Sequence, residues 1–212
     1  MLKIIYLKEI DSTQLYLKRV IATQQERFSL AVVSDIQTHG IGSRDNNWEG
    51  YNENLFLSFM LPLKELPSDL HIGSASIYFA SLLKEVLEAK GSKVWLKWPN
   101  DFYIAEKKIG GMITNVVEDF IICGVGLNLT KAPENFGVLD IDIDRKKLVE
   151  EYLQKVEKKI LWKQVFSKYK LEFDRNKKFF THYKNLKISL NDAKLEDDGS
   201  LNIDGERIYS LR

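Results

Sequence analysis

The chain has 212 residues, enough for one medium-sized domain or for one domain with a small appendage. Apolar residues make up 44% of it and charged residues 29%, the ordinary balance of a globular protein. A net charge of +1 gives no general attraction to nucleic acid, and one cysteine excludes a disulfide within the chain. The apolar runs are too short to cross a bilayer, and neither a secretory signal nor a helix-turn-helix precedes the first strand. We therefore expect a cytoplasmic protein that binds neither membrane nor DNA.

The first half of the chain predicts strands that alternate with helices. Three short apolar runs are typical of buried strands: Ile4–Leu7, Leu30–Ile36 and Leu55–Leu61. A Ser-Thr pair can cap a helix that runs from Gln14 to about Thr23. Apolar residues recur at helical spacing between Gly73 and Lys90, which predicts a second, longer helix.

The second half predicts neighbouring strands, two helices and a tail of different character. The predicted strands are Val94–Trp98, Phe102–Ile104, Gly111–Val117 and Phe120–Leu129. Asp144 can cap a third helix, and Trp162–Phe173 has the pattern of a fourth. In the tail, Asp-Gly turns separate three short predicted strands, Lys194–Glu196, Ser200–Ile203 and Arg207–Leu211. We expect an α+β fold, with a mixed central β-sheet flanked by helices in residues 1–180 and a small β domain in residues 181–212.

Charged residues and glycines are concentrated between two of these strands. Lys97-Trp98-Pro99-Asn100-Asp101 is followed closely by Lys108-Ile109-Gly110-Gly111. Because proline fixes its own φ and favours an extended residue before it, Asn100-Asp101 is expected in a turn. Lys107-Lys108 is expected in a second turn, before a strand that the glycine pair opens without side-chain bulk. Such a cluster can bind a polyanion, or it is a lysine-rich hairpin with solvated tips.

Three other segments carry polar residues or glycines where an element begins or ends. Asp11-Ser12-Thr13-Gln14 starts a helix, where free amides bind a carbonyl or carboxylate or are simply capped. Gln37–Asn54 is a long polar loop whose glycines allow tight backbone around a ligand. Within this loop, Arg44 is a planar phosphate donor and Trp48 offers a stacking face. Gly124-Val125-Gly126-Leu127-Asn128 ends a glycine-containing strand on an asparagine.

Together, the four segments resemble those of the biotin–protein ligases. The Lys-Trp-Pro-Asn-Asp block, the Lys-x-Gly-Gly after it, the Gly-x-Gly-x-Asn strand, the Ser-Thr helix start and the glycine-rich loop ending in Trp stand in that family's order. The resemblance covers about residues 4–129 and resumes weakly in residues 205–212. It implies a class II synthetase-like catalytic domain followed by a small, shortened SH3-like β domain.

The resemblance implies a two-step ligase reaction. The biotin carboxylate attacks the α-phosphorus of ATP, which gives biotinyl-5′-AMP and pyrophosphate. A lysine of the biotin carboxyl carrier protein, an acetyl-CoA carboxylase subunit, then attacks the mixed anhydride and releases AMP. Biotin and ATP are thus substrates, and Mg²⁺ is expected to arrive with ATP. Formation of a homodimer is left open.

The resemblance also implies a role for each matching residue. Catalysis is assigned to Lys108, Arg44, Lys97 and Asp101, and Asp101 is also the candidate Mg²⁺ ligand. Contacts with biotin are assigned to Ser12, Thr13, Gln14, Gln37, Gly40, Gly42, Ser43, Lys108 and Gly111. Contacts with ATP are assigned to Arg44, Trp48, Lys97, Asn100, Lys108 and Asn128. For Lys97 and Asp101 the alternatives are an internal ion pair and a turn stabiliser.

The glycine-rich loop departs from the family pattern. Ile41 and Ser43 stand where arginines are common, and Asp45 replaces a glycine. Since Ser43 supplies no cation over the adenylate, the loss is roughly 2–4 kcal/mol per transition-state donor, and compensation is expected from Arg44 or another group. We therefore expect the intermediate to be held less tightly than is typical of the family.

Two other functions and one surface stay open at the level of sequence. A lipoate or octanoate ligase or transferase would share the same architecture. The altered loop also fits a non-catalytic module that binds biotin or the carrier. The basic stretch Lys155–Lys187 is typical of solvated helix faces, and the alternative is a docking surface for an acidic carrier domain.

Overall fold

The structure is a computed structural model that describes residues 2–24, 28–42, 48, 50–184 and 186–209. Its first elements are β1 (Lys3–Ile10), α1 (Thr13–Ala22), β2 (Leu30–Gln37) and β3 (Leu55–Pro62). The central elements are α2 (Ala75–Glu88), β4 (Trp95–Lys97), β5 (Asp101–Ile104), β6 (Lys107–Val117) and β7 (Phe120–Leu127). The last elements are α3 (Arg145–Glu157), α4 (Trp162–Glu172), β8 (Phe180–Tyr183), β9 (Leu186–Ser189), β10 (Lys194–Leu195), β11 (Leu201–Ile203) and β12 (Glu206–Ile208).

Seven strands form one mixed sheet in the order β1-β2-β3-β7-β6-β5-β4. β1 and β2 are parallel, and the other neighbouring pairs are antiparallel. α1 connects the parallel pair, because parallel strands need a crossover while antiparallel strands can be joined by hairpins. The mixed, helix-flanked sheet predicted from the sequence is confirmed.

Helices cover both faces of this sheet. α1 buries Leu17, Val20 and Ile21 against apolar side chains of β2, β3 and β7. On the other face, α2, α3 and α4 bury the larger core, in which the Phe59 ring meets Phe79 and Tyr152 edge-on at 5.2 and 5.9 Å. Because every residue of β3 is buried, the sheet is covered on both sides at its centre.

The C-terminal region is rich in short strands, as predicted. β8 and β9 form a hairpin, and β10, β11 and β12 form a small sheet. The hairpin was not predicted, because its strands carry exposed polar residues such as His182 and Lys187. The last predicted strand, Arg207–Leu211, is instead β12, and residues 210–212 lie outside the described part of the chain.

This strand-rich region packs onto the same core as the large sheet. Its apolar residues in the main buried cluster include Leu190, Leu201 and Ile208. Trp98 donates its indole N–H to the Gly199 carbonyl at 2.8 Å, which joins the tail to the segment before β5. The division into two domains at residues 180 and 181 stays a prediction.

The prediction of two turns was right for Asn100 and wrong for Asp101 and Lys108. Asp101 begins β5, whereas Asn100 lies in the preceding turn, where it is only 2% exposed. The second turn is formed by Ala105 and Glu106, so Lys108 lies inside β6 and not at a hairpin tip. Ala105 adopts a φ of 48°, a conformation that alanine does not signal in a sequence.

The basic stretch is partly neutralised within the molecule. Lys155 and Lys168 pair with Glu85 at 2.7 and 3.1 Å, and Lys184 pairs with Glu206 at 2.8 Å. These pairs reduce the positive field available to a partner, so carrier attraction by this stretch stays a prediction. Within the described residues, no helix combines the length and apolarity needed to cross a membrane.

Candidate functional site

A cavity of about 390 Å³ opens where the β1–α1 junction meets the centre of the sheet. Its lining includes ten residues to which the sequence assigned a role: Ser12, Thr13, Gln14, Gln37, Gly42, Trp48, Asn100, Asp101, Lys108 and Gly111. These residues come from segments far apart in the chain, and the sheet order brings them together. A concave cavity in which polar groups converge is a usual form of a small-molecule site.

One side of the cavity holds a hydroxyl cluster formed by Thr13, Gln37 and Ser58. The Thr13 amide and hydroxyl both donate to Gln37 Oε1, at 2.8 and 3.0 Å. The Thr13 and Ser58 hydroxyls lie 2.8 Å apart. Gln37 ends β2 and Ser58 lies in β3, so these neutral groups are fixed by the sheet before a ligand arrives.

Gln14 lies beside this cluster, and its side-chain amide has no partner among the described residues. Ser12 accepts from the Gln14 and Leu15 backbone N–H groups, so the predicted helix cap is confirmed. The Gln14 side chain is 3% exposed, and neither its Oε1 nor its Nε2 finds a hydrogen bond within the described part of the chain. A buried amide without a partner is costly, which indicates that a ligand supplies the missing hydrogen bonds.

The opposite side of the cavity holds a charged pair, Asp101 and Lys108. Lys108 Nζ lies 2.7 Å from Asp101 Oδ1, and the two side chains are 27% and 17% exposed. Gly111 faces Asp101 across the β5–β6 ladder and leaves room for both groups. The pair places an ammonium group at a cavity whose other lining side chains, among the described residues, are neutral.

Asn100 and Lys97 flank the charged pair in different ways. Asn100 donates from Nδ2 to the Met112 carbonyl, while its buried Oδ1 has no partner among the described residues. Lys97 lies outside the cavity lining, opposite Asp101 in the β4–β5 ladder and 5.7 Å from the centre of the Tyr103 ring.

Burial, and then the Asp101 charge, raises the pKa of Tyr103 to about 12, so this phenol stays protonated at neutral pH.

Trp48 closes another part of the cavity wall against two glycines. A Cβ on Gly126 would lie 2.5 Å from the Trp48 ring, and a Cβ on Gly40 would lie 2.5 Å from the Trp48 carbonyl. Only glycine therefore allows this packing. Gly40 contacts Trp48 without lining the cavity, and the buried Trp48 Nε1 has no partner in the described ranges.

The remaining assignments have different outcomes. Asn128 does not line the cavity, and both ends of its side chain bind protein groups. Ser43 and Arg44 lie outside the described residues, as does Asp45. The roles carried over from the family therefore stay predictions, although ten of their residues share one cavity.

Sequence reasoning missed several lining residues. Ser58 is a polar residue inside an apolar strand, and Gly124 and Gly126 share one strand face, so these signals were present. Phe136 meets the Trp48 ring edge-on at 6.5 Å and lines the cavity, but it lies in a loop with no periodic pattern. Its place could not be read from the sequence.

The fold and the cavity define a class of protein: a mixed-sheet domain with a cavity of small-molecule size between neutral hydrogen-bonding groups and an ion-paired lysine. Residues 6–128, more than half of the chain, match the family described as "Biotin/lipoate A/B protein ligase family". The chain belongs to this family, and the resemblance found in the sequence is confirmed.

Two curated relatives illustrate how far the similarity extends. The bifunctional ligase/repressor BirA of Salmonella typhimurium is 33% identical over 127 residues, which are 57% of this chain and 38% of that protein. The biotin–[acetyl-CoA-carboxylase] ligase of Mycobacterium tuberculosis is 25% identical over 145 residues, which are 62% of this chain and 54% of that protein. The matched part thus spans between about a third and a half of these relatives.

Solved structures match over nearly the whole chain. The biotin acetyl coenzyme A carboxylase synthetase of Helicobacter pylori, crystallised with bound biotinylated ATP, has a TM-score of 0.94 and 36% identity over 99% of this chain and 100% of that one. The biotin protein ligase of Aquifex aeolicus, in complex with biotin and ATP, has a TM-score of 0.79 and 25% identity over 98% and 94%. The C-terminal strands are included in both matches.

Proposed function

We propose that this chain activates biotin with ATP to biotinyl-5′-AMP and then transfers biotin to a lysine of a biotin carboxyl carrier protein. The observation that carries the proposal is that one cavity contains both the Gln14 amide, which has no partner among the described residues, and the Lys108–Asp101 ion pair. The Gln14 amide suits the neutral head group of biotin. The Lys108 ammonium group suits the biotin carboxylate and the phosphate with which it reacts. The solved relatives with biotin and ATP bound support the same function.

In the first step, a biotin carboxylate oxygen attacks the α-phosphorus of ATP. A new P–O bond forms, the bond to the β-phosphate oxygen breaks, and pyrophosphate leaves with the electron pair. Lys108 holds its ammonium group beside the cavity, where it can neutralise charge on the carboxylate and on the α-phosphate oxygens. A fixed charge of this kind stabilises the transition state without reorganisation.

In the second step, the carrier lysine attacks the acyl carbon of the mixed anhydride. The amide bond forms, the bond to AMP breaks, and the amine nitrogen loses a proton. The amine must give up a proton as it forms the amide bond. A carboxylate near the reacting carbon attracts the lysine side chain and accepts this proton directly or through water. Asp101 is the lining carboxylate that suits this role.

Magnesium is proposed to bind with ATP. In the described part of the chain, no group of three or more His, Cys, Asp or Glu residues could hold a metal ion by itself. This fits Mg²⁺, which is usually held by phosphates together with one or two carboxylates. Asp101 would be the protein ligand, and the ion would supply charge neutralisation for the phosphates.

The carrier and the location belong to the same proposal. The M. tuberculosis relative is named as a ligase for acetyl-CoA carboxylase, so the carrier domain of that enzyme is the proposed acceptor. We place the reaction in the cytoplasm, where a buried free thiol such as Cys123 stays reduced. That the chain does not bind DNA stays a prediction, and formation of a homodimer stays open.

The glycine-rich loop carries a prediction about the intermediate. Ser43 lies outside the described residues, so the expected loss of a cation over the adenylate depends on the sequence alone. We expect Ser43→Arg to slow the release of biotinyl-5′-AMP relative to the natural chain. A trapping assay measures this release, and a slow release from the natural chain would contradict the idea.

The proposal is tested by transfer to a carrier. Purified protein is incubated with ATP, Mg²⁺, a biotin carboxyl carrier domain and either biotin, lipoate or octanoate. We expect a streptavidin-reactive carrier only with biotin, and no acylation detectable by mass spectrometry with the other acids. Preferred use of lipoate or octanoate would place the chain on the other branch of its family, and binding of biotin without transfer would make it a non-catalytic module.

A further inference from the structure

A loop between Asn128 and Leu139 contributes Phe136 to the wall of the cavity. Its two ends are joined, because the Leu139 N–H donates to the Asn128 carbonyl at 2.8 Å and Asn128 Nδ2 donates to the Gly137 carbonyl at 3.2 Å. The Gly137 N–H in turn donates to the Lys108 carbonyl at 2.8 Å. The 128–139 loop is thus attached to the main chain of the residue that carries the cavity's ammonium group.

Asn54 holds the start of this loop from the other side. Its Oδ1 accepts from the Leu129 and Thr130 N–H groups, at 3.0 and 3.3 Å. Its Nδ2 donates to the Lys131 carbonyl at 2.8 Å and to Asn128 Oδ1 at 3.3 Å. All four hydrogen bonds of one fully buried side chain therefore go to four consecutive residues.

The loop delivers one side chain to the cavity. Phe136 lines the cavity and meets Trp48 edge-on, and its neighbour Gly137 is the residue bound to Asn128 and Lys108. The hydroxyl cluster of Thr13, Gln37 and Ser58 belongs to other elements, whereas the Gly137 N–H of the loop donates to the Lys108 carbonyl. The loop therefore borders the Lys108 side of the cavity.

We propose that Asn54 is a positioning residue for this side of the cavity. It fixes residues 128–131, and through Asn128 and Gly137 it sets where Phe136 closes the wall beside Lys108. Asn128 is then the partner that transmits this position rather than a ligand contact, since both ends of its side chain are occupied. With the proposed function as a basis, Asn54 supports the binding of ATP and not the binding of biotin.

Three variants test the proposal. Asn54→Ala removes the four hydrogen bonds, and Asn52→Ala, an exposed asparagine two residues earlier, is the matched control. Phe136→Ala removes the delivered side chain and leaves the Asn54 bonds in place. The two readouts are amide hydrogen exchange of residues 128–139 in ligand-free protein and steady-state kinetics with varied ATP and biotin.

We expect Asn54→Ala to speed exchange at Leu129 and Thr130, and to raise the KM for ATP by about tenfold or more with the Kd for biotin changed by less than about threefold. Phe136→Ala should raise the KM for ATP similarly while exchange at Leu129 and Thr130 stays slow. Asn52→Ala should match the natural chain in both readouts.

The proposal is overturned if exchange at Leu129 and Thr130 is unchanged in Asn54→Ala, or if biotin binding weakens as much as the KM for ATP rises. Should Asn54→Ala not fold, an unchanged KM for ATP in Phe136→Ala overturns it alone. Hydrogen exchange needs no turnover. A natural chain that releases no pyrophosphate would therefore remove the proposed function while the exchange experiment still judges whether Asn54 holds the loop.

Discussion

The two sides of the cavity differ in the kind of group they present. The hydroxyl cluster of Thr13, Gln37 and Ser58 is neutral and already hydrogen-bonded, and the Gln14 amide beside it has no partner among the described residues. The Lys108–Asp101 side presents opposite charges 2.7 Å apart. A neutral network discriminates by shape and hydrogen bonding, whereas a fixed charge stabilises a charged transition state.

This contrast separates binding from chemistry in the proposed reaction. Removing a group on the neutral side should change affinity for biotin, and removing a charge on the other side should change the rate of adenylation. The predictions below test whether binding and chemistry are separated in this way, beginning with the largest expected effect.

Lys108→Ala should lower the rate of biotinyl-5′-AMP formation by about a hundredfold to a thousandfold, because one preorganised transition-state donor is lost. The Kd for biotin should change far less. Rapid-quench kinetics and calorimetry measure the two quantities, and Lys107→Ala, the exposed neighbour, is the matched control.

The fold should survive this change, although Lys108 is not the exposed turn residue that the sequence predicted. Its removal leaves Asp101 without its ion-pair partner, so some loss of stability is expected. The double variant Lys108→Ala with Asp101→Ala should regain stability without regaining adenylation. A normal rate in Lys108→Ala would contradict the assignment of Lys108.

Gln14→Leu should weaken biotin binding by about tenfold or more, because the ligand loses its hydrogen-bonding partner. The ligand-free protein should be as stable as before or more stable, since an unpartnered buried amide is replaced by an apolar group of similar size. Calorimetry and thermal unfolding test the two halves, with the exposed Gln154→Leu on α3 as control. Unchanged affinity would show that Gln14 does not contact biotin.

The smallest effect concerns Asp11 and Arg19, which pair at 2.6 Å beside the neutral side of the cavity. The Arg19 hydrogen bond lowers the pKa of Asp11 to about 2. Because the folded pKa lies below the unfolded value, the pair stabilises the fold above about pH 4, and this stability is lost as the pH falls towards 2.

Arg19→Gln should therefore lower the melting temperature slightly at pH 6, by an amount worth about 1 kcal/mol or less for so exposed a pair. The difference from the natural chain should shrink as the pH falls through 2. A difference that does not shrink would show that Arg19 acts through packing rather than through the Asp11 charge.

Much of the fold and of the site could be predicted because local chemistry and global fold agree. Pro99 ends a strand and Ser12 caps α1, each for a reason visible in the residue type. The family motifs then identified ten residues that the sheet brings together in one cavity.

The errors share a different cause. The sequence prediction placed Lys108 in a turn because Ala105 carries no turn signal. In the structure, the pairing of β5 with β6 puts the turn at Ala105, which adopts a positive φ. Phe136 and Asn54 act through contacts between distant segments, which no local pattern records. Hydrogen bonds of this kind become visible only when both segments are in place.

The most direct test of the central claim is a single-turnover experiment without the carrier. Excess protein is mixed with biotin, Mg²⁺ and ATP labelled in the α-phosphate, and the products are separated after rapid quenching. The account predicts biotin-dependent formation of biotinyl-5′-AMP and pyrophosphate, and release of AMP when a carrier domain is added. Formation of ADP, or biotin binding with no pyrophosphate released, would contradict it.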